Sequence, residues 1–317
     1  MASRFNWKKI FLTGCLSVVA AALALVAYGA WYLYRTGYLV TWNENDGKVY
    51  SGVVYDEKSG NKYDLYIPAE VTPQTAGRLM LFIHGGGWAM GKREDMIPFC
   101  RYYAKQGYMT ATLDYTLLQM GEKNALQKPQ ATVRQMLAEI GQCLAHLKKR
   151  AAELGHPVKQ AALSGVSAGG HLALLYGYSQ AAESPVPLAF VFAYVPPTAF
   201  TNIWDDNFTA EILSRGTGQK ITPAMLRDGS AAAAIKSVTP VEHVSARSLP
   251  TLAAFGAKDE IVRPVHRERL EKTLTRFQVP HKCVVFPNSG HMLFMDPDKT
   301  AEYRQVVLDY ARQYFKD

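Results

Sequence analysis

A serine flanked by glycines, Gly165-Val166-Ser167-Ala168-Gly169, stands between the apolar run Ala161–Leu163 and a helical pattern over His171–Ser179. Small neighbours permit the sharp strand-to-helix turn that lifts a serine hydroxyl clear of the backbone, where it can act as a nucleophile. The plainer reading is a Gly/Ser turn, and the strand–helix junction weighs against it. A second glycine cluster, His84-Gly85-Gly86-Gly87-Trp88, directly follows the apolar run Leu79–Ile83. Consecutive glycines let main-chain N–H groups converge on one point with no side chain in the way. A carbonyl oxygen gaining negative charge needs such donors. A phosphate-binding loop would require a Lys-Ser/Thr pair at set spacing, and Gly91-Lys92-Arg93 lacks it. His84 is expected to brace the loop by hydrogen bonding, not to react.

A serine nucleophile needs a base, and the base needs an orienting carboxylate. Asp259 follows the apolar run Leu252–Phe255 through Gly256-Ala257-Lys258, and His291 follows Cys283–Phe286 through Pro287-Asn288-Ser289-Gly290. Both therefore fall on loops at the carboxyl ends of strands, where open α/β sheets place their sites. The order Ser167, Asp259, His291 is the one expected for acyl transfer on such a sheet. Glu260 adjoins Asp259 and is the lesser candidate for the acid. Most turn aspartates only cap or solvate, and most of the eight histidines should be inert. His146, His156, His266 and His281 are expected on surface helices or strand ends.

The elements that must position these residues are legible as alternating patterns. Lys48–Tyr55 and Lys62–Ile67 alternate around a Lys58-Ser59-Gly60-Asn61 turn, predicting an antiparallel hairpin. Leu79–Ile83, Met109–Leu113, Ala161–Leu163, Ala189–Tyr194, Leu252–Phe255 and Cys283–Phe286 are short apolar runs, as in strands buried on both faces. Val133, Met136, Leu137, Ile140, Cys143, Leu144 and Leu147 share one helical face, and Tyr303–Phe315 carries a second such stripe. The alternation predicts an α/β fold: a mostly parallel central sheet with helices on both faces over residues 48–317. Residues 197–247 break the rhythm and are expected to form a small cap. Phe200, Trp204 and Phe208 would be exposed there, above the site.

Of 317 residues, 48% are apolar and 20% charged, which excludes disorder as the main state. Four cysteines cannot frame a disulfide scaffold. No bridge is expected: Cys15 lies in an apolar segment, Cys100 and Cys143 on crossovers to opposite faces, and Cys283 in a strand. No Cys/His cluster has ligand spacing, so neither metal nor cofactor is implied. The net charge of +8 includes Arg4, Lys8, Lys9 and Arg35 from a stretch without acids; the remaining 31 cations exceed the 27 acids by four. That is an ordinary surface, and no nucleic-acid partner is expected. The apolar run from Ile10 to Tyr34 is long enough to span a bilayer. Residues 1–35 therefore predict a membrane anchor with the catalytic domain extracytoplasmic. Ala27-Tyr28-Gly29 offers the alternative of a cleaved signal and a secreted enzyme.

With these motifs the chain resembles the small carboxylesterases of the α/β-hydrolase superfamily, in the HGGG branch related to hormone-sensitive lipase. Feruloyl- or acetylxylan-esterase-like and kynurenine formamidase-like proteins are similar. The resemblance runs from about Tyr50 to the C-terminus. It includes Tyr63-Asp64-Leu65-Tyr66-Ile67-Pro68, the HGGGW segment, Asp114-Tyr115, the serine motif with Gly170-His171, Thr239-Pro240 and Ser289-Gly290-His291. It implies an oxyanion hole formed by the N–H groups of Gly86, Gly87 and Ala168, a small-molecule ester substrate, and an acyl-enzyme on Ser167. Val166 replaces a frequent acid, and Thr116-Leu117-Leu118-Gln119 replaces the usual Arg-Leu-Ala-Pro, which bears on substrate and not on the triad. An amidase or peptidase with the same triad is the alternative enzyme, and a catalytically silent hydrolase-fold membrane protein is the alternative class.

Overall fold

Eight strands form one sheet in a computed structural model that describes Gly29 and residues 40–71, 77–119, 131–201 and 205–316. The strands are β1 (Gly47–Asp56), β2 (Asn61–Pro68), β3 (Arg78–Ile83), β4 (Met109–Leu113), β5 (Gln160–Val166), β6 (Leu188–Tyr194), β7 (Thr251–Gly256) and β8 (His281–Phe286), in the spatial order β1-β2-β4-β3-β5-β6-β7-β8. The β1/β2 hairpin pairs antiparallel, and so does β2 with β4. Every pairing from β4 through β3, β5, β6 and β7 to β8 is parallel. This is the mostly parallel α/β sheet expected from the alternating patterns, in the α/β-hydrolase arrangement that the resemblance implies.

The two faces can be read residue by residue, because side chains alternate along a strand. Leu79, Leu81, Ile83, Leu163, Val191 and Phe255 point into one apolar cluster, while Met80, Phe82, Ala162, Phe190, Phe192 and Ala254 point into the other. Helices α1 (Ile97–Ala104) and α8 (Pro297–Tyr314) cover the second face with Phe99, Tyr103, Tyr303 and Val307. The first face is covered by α2 (Val133–Glu153), α3 (Ala168–Ser179) and α7 (Val265–Arg276). Thr132 caps α2 by accepting from the Gln135 N–H. Cys100 and Cys143 are buried on opposite faces, and with Cys283 they are free thiols. Between β6 and β7 the chain makes a helical excursion, with α4 (Asp206–Thr217), α5 (Pro223–Arg227) and α6 (Ala232–Val238).

The membrane expectation is corrected. A spanning helix needs about 20 predominantly apolar residues. Among the described residues no helix is long and apolar enough to cross a membrane. The longest, α2, carries Arg134, Lys148, Lys149, Arg150 and Glu153 along its length. Residues 10–34, which the sequence offers as the anchor, lie outside the described residues apart from Gly29. The transmembrane helix, the membrane partner and the extracytoplasmic location are withdrawn.

Candidate functional site

Strand β5 continues straight into the serine motif and ends at Val166; α3 begins at Ala168. Between them Ser167 has φ 53° and ψ −117°, a conformation that a residue with a Cβ adopts only when its surroundings impose it. They do so through main chain. A Cβ on Gly165 would lie 2.3 Å from the Gly169 carbonyl carbon, and one on Gly169 would lie 2.1 Å from the Ile83 oxygen. The Ser167 N–H is held by the Tyr194 carbonyl at 2.8 Å. The two glycines of the motif are thus steric requirements, one for the turn itself and one for its seat against the end of β3.

The three side chains expected to act together do meet. Ser167 Oγ lies 3.0 Å from His291 Nε2, and His291 Nδ1 lies 2.8 Å from Asp259 Oδ2. An ionised carboxylate only accepts hydrogen bonds, so Nδ1 carries the imidazole proton and the Nε2 lone pair faces the serine hydroxyl. The Asp259 side chain is wholly buried, and its other oxygen accepts from the N–H groups of Ile261 (2.9 Å) and Val262 (2.8 Å). Glu260, one residue on, is exposed, so the geometry selects Asp259.

The HGGG loop sits against the serine turn: a Cβ on Gly85 would fall 2.9 Å from the Val166 oxygen and 3.5 Å from the Ser167 Cβ. Gly86 and Gly87 both take positive φ, at 106° and 59°, and the loop closes by Ala89 and Met90 N–H groups donating to the Gly86 carbonyl. Among the described residues, the N–H groups of Gly86, Gly87 and Ala168 donate to no backbone carbonyl outside regular helix and strand bonding. His84 is buried, stacked 4.2 Å from the Tyr115 ring, with Nδ1 2.7 Å from the Gly85 oxygen. Burial holds its pKa below the ordinary value, and it braces the loop as expected.

Several supporting contacts have little or no signal in the sequence. Trp88 Nε1 donates to His171 Nδ1 (3.1 Å), and His171 Nε2 then donates to the Val238 carbonyl (2.7 Å) at the end of α6. Phe200, expected to be exposed, is buried edge-on against the His171 ring and beside Trp88. Trp204 lies outside the described residues, while Phe208 is exposed. Burial lowers the His171 pKa to about 4, so the ring is neutral at pH 7. His266, expected on a surface helix, is buried instead and accepts from the Thr198 N–H; burial lowers its pKa to about 3. Asp296 gathers the Ser289 hydroxyl (2.6 Å) and the Asn288 side chain (2.9 Å), which shapes the loop carrying His291. Arg93 bridges Asp64 (3.0 Å) and Asp114 (2.8 Å), tying the segment after the HGGG loop to β2 and the end of β4. The one signal available for Asp296 was its place before Pro297, at the start of α8. Among the described residues no group of three or more His, Cys, Asp or Glu could hold a metal ion.

A family model, BD-FAE, matches residues 63–274, more than half of the chain. The chain belongs to the BD-FAE family. Among curated proteins, a stretch of 149 residues is 27% identical to a probable isoprenylcysteine alpha-carbonyl methylesterase of Oryza sativa subsp. japonica, covering 47% of this chain and 32% of that one. The chain therefore spans about a third of the length of the first curated relatives it matches. Among solved structures, esterase B of Lactobacillus rhamnosis in an inhibited form superposes with a TM-score of 0.66 at 20% identity, over 94% of this chain and 96% of that one. Butyrate-bound Est2 of Thermogutta terrifontis gives 0.64 at 20% identity, over 86% and 96%. Likeness at that identity speaks for the shared fold.

Proposed function

We propose that this BD-FAE family member is a serine carboxylesterase that hydrolyses small or medium esters through an acyl-enzyme on Ser167. The observation that carries the reading is the unbroken chain from the Ser167 hydroxyl through His291 to the buried Asp259, at 3.0 and 2.8 Å. Ser167 Oγ attacks the ester carbonyl carbon as His291 Nε2 takes its proton, and the Asp259 carboxylate stabilises the resulting imidazolium. The N–H groups of Gly86, Gly87 and Ala168 receive the oxygen that becomes negative. Collapse breaks the bond to the alcohol oxygen, which leaves with the proton from His291. Water then attacks the acyl-serine along the same route, releasing the acid and restoring the hydroxyl. A methylesterase among the curated relatives supports an ester over an amide. The helical excursion of residues 197–247 is the cap in this reading, rooted on the serine helix through Val238 and His171.

A fluorophosphonate probe tests the proposal. It should label the intact chain on Ser167, lose the label in Ser167→Ala, and compete with p-nitrophenyl butyrate hydrolysis. An unlabelled chain that also fails to hydrolyse the ester would sink it.

A further inference from the structure

Large apolar side chains that stay exposed are concentrated where the site is. Among the described residues seven are exposed: Val49, Met90, Phe208, Ile261, Met292, Phe294 and Met295. Three of them, at 62%, 42% and 69% exposure, occupy positions one, three and four after His291. Ile261, at 59%, is two residues after Asp259 and donates its N–H to that carboxylate. The loops bearing these four are packed main chain to main chain. The Lys258 N–H donates to the Ser289 carbonyl at 3.0 Å, and a Cβ on Gly256 would meet the Gly290 oxygen at 2.4 Å. Clusters of exposed apolar side chains beside a polar reacting centre mark a place where something apolar binds.

The chemistry decides which part of the ester that is. His291 delivers its proton to the departing alcohol oxygen, so the alcohol must leave beside the loop that carries His291. The acyl carbonyl oxygen is directed instead to the HGGG loop. We propose that Ile261, Met292, Phe294 and Met295 form an apolar wall for the alcohol moiety, making the enzyme selective for esters of extended alkyl or aryl alcohols over those of hydroxyl-rich ones. This rests on the serine esterase reading and adds the side of the ester on which selectivity lies. Methionine suits such a wall: its unbranched thioether adapts to different chains and stays attractive to aromatic edges. Met295 is held by its backbone, through its N–H to Ser289 Oγ at 3.0 Å, which leaves the side chain to move over a fixed base.

The test compares alcohols at constant acyl group, then acyl groups at constant alcohol, on the full chain. With butyrate esters, kcat/KM should rise at least about tenfold from methanol to hexanol, the lower end of what one methylene gives in an enclosed apolar pocket. Glycerol butyrate should fall at or below the methyl ester. The acyl series, methyl acetate to methyl hexanoate, should change less. The double variant Met292→Ser/Met295→Ser and, separately, Ile261→Ser should flatten the hexyl-to-methyl ratio, while Val49→Ser, at the edge strand β1, leaves it unchanged. A wild-type ratio near one, selectivity confined to the acyl series, or a ratio unmoved in both wall variants overturns the proposal. Failure of the wild type to hydrolyse any ester or to take the fluorophosphonate label would instead remove the esterase reading beneath it.

Discussion

Replacing Asp259 by asparagine isolates what the carboxylate does. The Oδ1 position already accepts two N–H groups, from Ile261 at 2.9 Å and Val262 at 2.8 Å. An asparagine keeps both bonds only if its carbonyl oxygen occupies that place, so its NH2 must face His291. Two donors then oppose each other. The imidazole escapes by moving its proton from Nδ1 to Nε2, and the nitrogen beside Ser167 becomes a donor that can no longer accept the serine proton. To regain the working tautomer the variant must leave the buried NH2 donor unpaired, roughly 1–3 kcal/mol, and the imidazolium formed as His291 takes the serine proton lacks its hydrogen bond to a charged carboxylate, roughly 1.5–3 kcal/mol. The sum is roughly 2.5–6 kcal/mol, or about 10²–10⁴-fold in kcat at one decade per 1.36 kcal/mol. Steady-state hydrolysis of p-nitrophenyl acetate by Asp259→Asn, with KM little changed and an unaltered melting temperature, is the assay. Glu260→Gln, whose side chain is exposed, should stay within about twofold, because a solvated charge at that distance is screened. A nearly active Asp259→Asn, or a Glu260→Gln as impaired as expected for Asp259→Asn, would refute the tautomer argument.

Three further outcomes are expected. Gly169→Ala places a methyl 2.1 Å from the Ile83 oxygen and 2.4 Å from the His84 oxygen, so it should cost about 1–3 kcal/mol in denaturant unfolding and most of the activity; Gly60→Ala, with open space and φ 73°, should cost only about 1–2 kcal/mol of backbone strain and leave turnover intact. A Gly169→Ala variant as active as Gly60→Ala would rule out the steric account. His171 and His266 have folded pKa values lowered to about 4 and about 3 by burial, so the unfolded chain binds protons first: stability is complete above about pH 6.5 and falls as pH drops toward 4 and then 3. Urea midpoints measured from pH 7.5 to 4.5 should decline in the wild type and less steeply in His171→Asn; a flat wild-type profile counts against neutral buried imidazoles. Burial pushes the Cys100 and Cys143 thiols up, so iodoacetamide on the native protein should leave both peptides unmodified, and recovery of either alkylated peptide from folded, active enzyme would contradict their burial.

What the sequence made legible followed from regularities that local physics imposes. Strands buried on both faces must be apolar throughout, so β3 to β7 stood out, and the turn after β5 had to carry glycines for its geometry. Asp259 and His291 were found because each follows such a strand by a short loop. The pairing of Arg93 with Asp64 and Asp114 was not, because charges far apart in sequence have no periodicity and pair only once β2 and β4 are adjacent. Phe200 and His266 were misjudged for a related reason. Position in a long connection or an amphipathic helix suggests exposure, but the His171 and Trp88 rings take up the first and Thr198 the second. The apolar run at residues 10–34 lies outside the described residues apart from Gly29, and among the described residues no helix is long and apolar enough to cross a membrane.

The contacts that fix the reacting atoms are made by main chain. Gly165 against Gly169, Gly169 against Ile83, and Gly256 against Ser289 and Gly290 leave no room for a side chain at any of these points. Chemistry and selectivity are therefore mutationally separable in this molecule. Side chains at positions 261, 292, 294 and 295 can drift, or be randomised in a library, without moving the peptide planes that hold Ser167, Asp259 and His291. An evolving lineage could exchange these side chains many times while Gly165, Gly169 and Gly256 stay fixed, and a protein engineer can expect functional clones to be frequent at those four positions and nearly absent at the three glycines.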